Sequence, residues 1–202
     1  EKPLMLHGDY GDALKDNALF DDARMEEIAR IIAMAKSRGE VCGLTVHSPT
    51  RAFMKKSGKT LEDIAASILR FQDETDVNVM LEHRSGKNFA VSSVDEILGL
   101  GDIPLTIDAA AMYVSLGYNA DALKSALRKL GRFNVVELHA SDSSPGRQAV
   151  GAALGEGEIP YAKLTLPPER YRTVEVLGSR RFEKSVEALE GRRRGTTGER
   201  DS

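Results

Sequence analysis

Six ionisable residues, His7, His47, Glu82, Asp108, His139 and Glu175, each stand at or near the end of a short apolar run. They follow one another at intervals of 40, 35, 26, 31 and 36 residues, each about the length of one strand, one helix and their connections. In a parallel barrel, residues at the C-terminal ends of successive strands surround a single mouth. Carboxylates and imidazoles crowded there cannot persist as uncompensated charges and bare rings. A divalent cation would compensate them, and this mixture of oxygen and nitrogen donors suits Mn, Co, Zn or Mg, with no thiolate to demand a softer ion. The fourth histidine, His83, directly follows Glu82, and alternation turns its side chain to the opposite face of the strand.

The elements needed to position these residues can be read from the pattern. Apolar runs at Leu4–His7, Gly43–His47, Val77–Glu82, Ile103–Asp108, Asn134–His139 and Tyr171–Leu177 read as strands. Between them lie helical periodicities: Asp21 to Arg38, with Ile28, Ile31, Ile32 and Ala35 on one stripe and Gly39 as the expected cap, and a segment starting at Thr60 with Asp63 three residues on. A short helix follows Ser93, with Glu96 completing a capping box. Another runs from Asn119 to Leu130, ended by Gly131, and a last one covers Phe182–Leu189. Strands alternating with helices predict an α/β fold with a parallel sheet and helices outside it. Residues 1–190 read as one domain, and 191–202, rich in Gly, Thr, Arg and acidic residues, as a disordered polar tail.

The composition narrows the functional classes. The net charge is −3, and the only basic cluster, Arg192–Arg194, lies in the tail, which argues against a nucleic-acid partner. No apolar run reaches the ~20 residues of a membrane span. The single cysteine, Cys42, excludes an intrachain disulfide and fits a reducing cytoplasm. Gly155-Glu156-Gly157 is too short and too late in the chain to be a dinucleotide fingerprint.

Several of these stretches together resemble the xylose-isomerase-like (β/α)8 barrel superfamily. Leu81-Glu82-His83 is similar to its glutamate strand end, Leu105-Thr106-Ile107-Asp108 to its aspartate strand, and His139-Ala140-Ser141-Asp142 to its His-x-x-Asp. Leu154-Gly155-Glu156-Gly157-Glu158-Ile159 resembles its glycine loop and Thr173-Val174-Glu175 its last glutamate. The resemblance runs from Leu4 to Leu189 and implies a barrel whose first two strand–helix units are lacking here. The start at Glu1-Lys2-Pro3, close to a strand and without Met, fits that expectation. It further implies a divalent-metal-dependent isomerase or epimerase of a sugar or sugar phosphate. Glu82, Asp108, His139 and Glu175 would be the metal ligands. Glu82 and Glu175 would also pass the proton through a cis-enediolate. Arg84, Lys87 and Arg147 could bind substrate oxygens, and a homodimer would follow by analogy.

Adding His7 and His47 to the ligands gives a second expectation, an endonuclease IV-like phosphoesterase acting on abasic-site DNA. Against its three-metal form stand Asp108-Ala109-Ala110-Ala111 and Ala149-Val150-Gly151, where that group's further ligands are absent. The same alanines support a third expectation, a degenerate barrel that binds without turnover.

Overall fold

In the computed structural model, which describes residues 4–7, 18–146, 152–166, 171–174 and 182–186, six parallel strands form one sheet in chain order. They are β1 (Leu4–His7), β2 (Val41–His47), β3 (Asn78–Glu82), β4 (Leu105–Asp108), β5 (Val135–Ala140) and β6 (Tyr171–Val174). The helices between them are α1 (Asp22–Lys36), α2 (Arg51–Ser57), α3 (Leu61–Thr75), α4 (Val94–Gly99), α5 (Ala109–Ser115) and α6 (Ala120–Leu130). Neighbours in sequence are neighbours in the sheet, as in the wall of a barrel. The curl of that wall can be measured. In a flat sheet, β2 and β5 would stand about 14 Å apart, three strand spacings. Yet the Thr45 hydroxyl on β2 donates to Glu137 on β5 at 2.6 Å, and the rings of His7 on β1 and His139 on β5 are 4.9 Å apart. The strands therefore wrap around a common interior, as six of the strands of a (β/α)8 barrel.

Alternation along each strand divides the side chains between two environments. Leu44, Val46, Val79, Leu81, Leu105, Ile107 and Leu138 face outward and join Ile28, Ile32, Ile64, Ile68, Phe71, Leu123 and Leu127 of the helices in one apolar core. The inward set is different in kind. Toward the N-terminal ends of the strands, Met5 and Met80 close over Gly43, where a Cβ would lie 2.8 Å from Met80 Cε and 3.0 Å from Met5 Sδ. Above them comes a polar layer of Thr45, Thr106, Glu137 and Thr173. At the C-terminal mouth stand the histidines and Glu82.

The helix starts follow the sequence closely. Thr60 with Asp63, and Ser93 with Glu96, form complete reciprocal capping boxes, and Asn119 caps α6. Three features differ from expectation. Helix α1 ends at Lys36 and not at Gly39; Ser37 keeps helical backbone angles, and Arg38 N turns to Ala35 O at 2.9 Å in a tighter last turn. Helix α2 rises just after Pro49, where the Thr50 hydroxyl caps it, in a polar segment too short to show periodicity. Helix α5 springs directly from β4, with Asp108 as both the last strand residue and the cap.

His83 faces the apolar outer layer, as alternation requires, and is 2% exposed. Neither ring nitrogen has a hydrogen-bond partner of ordinary geometry among the described residues. Desolvation outweighs the pull of the Glu82 carboxylate and holds the ring's pKa at about 4. Between the ordinary value of 6.5 and about 4 the unfolded chain therefore binds a proton that the folded chain does not. Stability is lost as pH falls through that window, by about 3 kcal/mol in full. In chelator-treated protein, His83→Leu should flatten the urea-measured stability curve between pH 6.5 and 4. Parallel curves for the variant and the parent would refute a neutral, buried His83.

Candidate metal centre

The mouth is organised around one carboxylate. Glu82 ends β3 and is 3% exposed. His7 Nε2 is 3.0 Å from its Oε2, and His47 Nε2 is 3.4 Å from the same oxygen. His139 Nδ1 lies 3.6 Å from Oε1. The rings of His7 and His47 meet edge to face, with centroids 5.3 Å apart. One donor atom from each of His7, His47 and Glu82 falls within 4.8 Å of the other two. Burial alone would raise the Glu82 carboxyl, but contacts from His139, His47 and His7 together hold it well below the usual range, so it is an anion.

Register explains the convergence. His47 pairs with Glu82 across β2 and β3, and His139 pairs with Asp108 across β4 and β5. Of the six residues singled out in the sequence, the structure thus gathers four: His7, His47, Glu82 and His139. Asp108 is buried beside them, but its Oδ1 is committed to the first turn of α5, accepting from Ala110 N at 2.8 Å and Ala111 N at 2.9 Å. Glu175 and Arg147 lie outside the described residues. Arg84 comes to the mouth, with Nη1 2.6 Å from Nδ1 and 3.1 Å from Nε2 of His47 and its guanidinium 5.1 Å from the centre of the Phe89 ring. Lys87 stands exposed in the turn beyond, where its carbonyl accepts from Arg51 Nε at 3.0 Å, and no described contact joins its side chain to the cluster.

Glu137 was not anticipated. It lies two residues before His139 on β5 and faces the same interior, with its Oε2 3.3 Å from His139 Nε2. Burial tends to raise its carboxyl, but His139 and the Thr173 and Thr45 hydroxyls bring it down to about 2. The sequence did hold a signal, a lone carboxylate in an otherwise apolar strand on the same alternating face as a ligand candidate.

Solved structures share this architecture at low sequence identity. The IOLI protein, described with a binding zinc atom, matches with a TM-score of 0.59 and 15% identity, over 96% of this chain and 75% of its own. The probable 3-DHS dehydratase AsbF of Bacillus anthracis, involved in petrobactin synthesis, matches with a TM-score of 0.64 and 11% identity, over 92% of this chain and 74% of its own. A xylose isomerase domain protein of Alicyclobacillus acidocaldarius gives 0.60 and 15%, over 92% and 76%. The chain shares the parallel (β/α)-barrel fold of these three structures. No protein-family model matches the sequence, and no curated protein matches it significantly. No helix among the described residues is long and apolar enough to cross a membrane.

At the mouth of this barrel the residues fit a divalent ion. His7, His47 and Glu82 bring two nitrogen donors and one oxygen donor within 4.8 Å of one another, a mixed set that a divalent ion can bind. The loop after β5 is held by a carboxylate near these ligands. Asp142 accepts from Ser143 N at 2.9 Å, Gly155 N at 2.8 Å and Ile159 N at 3.0 Å. Of the two roles open to it from sequence, these contacts make it the organiser of the loop. Gly157 passes so close that a Cβ there would fall on the Asp142 carboxylate and the Ser143 backbone. Gly157→Ala should therefore lower the thermal midpoint by several degrees, a cost of about 1–3 kcal/mol. A midpoint within one degree of the parent, read by circular dichroism, would show that the loop has slack the structure does not display.

Proposed function

We propose that the chain is a divalent-metal-dependent isomerase or epimerase of a sugar or sugar phosphate. The observation that carries this reading is the convergence of His7, His47 and His139 on the buried Glu82 carboxylate at the mouth of a xylose-isomerase-like barrel. When bound there, a divalent ion would polarise a substrate's carbonyl and hydroxyl oxygens. Glu82 is ionised and so in the form that accepts a proton from the carbon beside a carbonyl. Glu175, carried by the resemblance of Thr173-Val174-Glu175, returns the proton on the other side. Asp108 completes the ligand set on the same reading. Arg84, beside His47, supplies a cation for a phosphate or hydroxyl group. Lys87 and Arg147 are further oxygen-binding side chains on this reading. The sugar is the partner, and a homodimer is its expected assembly.

A second reading has one specific observation behind it. The residues drawn most tightly together, His7, His47 and Glu82, include the two histidines that an endonuclease IV-like phosphoesterase would add. The two readings separate in one experiment. Metal-stripped protein reloaded with Mn, Co, Zn or Mg would be incubated with a panel of ketohexoses and their phosphates in deuterated water, and with abasic-site DNA. Metal-dependent deuterium uptake at the carbon beside the carbonyl is expected, reduced by a factor of about 10²–10⁴ in Glu82→Gln. Strand cleavage without deuterium uptake would replace the first reading with the second. Neither reaction in any metal form would leave a barrel that binds without turnover.

A further inference from the structure

Glu137 lies one inward step below the metal ligands, in a place where a barrel interior is ordinarily filled by branched apolar side chains. Its carboxylate is fixed from three strands. Oε2 accepts from Thr45 on β2 at 2.6 Å and from Thr106 on β4 at 3.2 Å, while Oε1 accepts from Thr173 on β6. The Thr45 and Thr106 hydroxyl oxygens lie 2.8 Å apart, and with one hydrogen each the pair supplies two of these three contacts at a time. So anchored, the carboxylate cannot swing away, and it presents Oε2 to His139 Nε2 at 3.3 Å. The opposite ring nitrogen, Nδ1, looks toward Glu82 Oε1 at 3.6 Å. His139 is fully buried, so its orientation is set by protein groups and not by bulk water.

We infer that Glu137 is a positioning residue that fixes the tautomer of His139, keeping the proton on Nε2 and the electron pair of Nδ1 aimed at the metal centre. Both ring nitrogens face carboxylates, but an ion held with Glu82 would take the electron pair of Nδ1. The hydrogen is then left on Nε2, toward the anchored Glu137 carboxylate, which can only accept. Such a carboxylate behind a ligating imidazole sets ring orientation and strengthens the ligand. Here both partners sit two residues apart on one strand, so the β-strand repeat itself fixes their spacing. The three threonines fix the carboxylate in turn. This inference rests on the proposed metal site and assigns a part of it that the ligand pattern alone does not contain.

The test uses the full chain loaded with zinc. Long-range ¹H–¹⁵N correlation spectra of histidine-labelled protein should show His139 protonated at Nε2 and coordinated through Nδ1. Competition with a chromophoric chelator should show zinc bound about 10- to 100-fold more weakly by Glu137→Leu. Glu137→Gln, whose amide oxygen can still accept from Nε2, should recover most of that loss. Should Glu137→Leu fail to fold, the parent spectrum and the Gln variant decide the matter. A His139 coordinated through Nε2, or a folded Leu variant with the parent's zinc affinity, would overturn the inference and leave the metal site standing. A folded parent that takes up no zinc would overturn both.

Discussion

The structure depends on one buried negative charge. The Glu82 carboxylate is withdrawn from water at the end of β3, and such a group is tolerated only when its charge is answered at close range. The answer comes from three imidazoles on β1, β2 and β5, none of them near Glu82 in sequence. To bring those rings onto one carboxylate, the sheet must curl and its register must hold, because a slip of one residue would turn every one of these side chains into the apolar layer. The same charge that makes the mouth chemically capable therefore also ties together strands that do not touch in the sheet.

Beneath the mouth, the barrel interior is layered by chemistry. Methionines fill the floor around Gly43, and a belt of threonine hydroxyls encloses Glu137. The histidines of the mouth stand above that belt. Every polar group in the belt is matched to another, the condition under which a buried polar network gives rigidity. Outside the wall, the helices supply an ordinary aliphatic core. The burial of most of the fold is thus separated from the polar interior, and the interior can be specialised without weakening the shell.

The wall was legible in the sequence because a strand, loop and helix repeat has a length, and six ionisable strand ends fell at that length. Capping chemistry at Thr60, Ser93 and Asn119 was equally readable, since it is local. Helices α2 and α5 were not, for each is seven residues long and shorter than two helical repeats of a pattern. Among the ligand candidates, spacing placed His7, His47, Glu82 and His139 on one mouth. It could not show that Asp108 would commit an oxygen to the start of α5, since that depends on how abruptly the chain turns after β4. Glu137 is less legible because it stands inside β5 and not at a strand end. Its role emerges only when three threonines from other strands close around it.

X-ray absorption at the zinc edge of the loaded chain would test the central claim most directly, because the fine structure counts imidazole rings. Imidazole scattering with nitrogens at about 2.0–2.1 Å, beside a shell of carboxylate oxygens, is the result expected of a centre that holds Glu82 and Asp108 with histidines of the mouth. A first shell of oxygen alone, or a chain that emerges from gel filtration without bound metal, would contradict it.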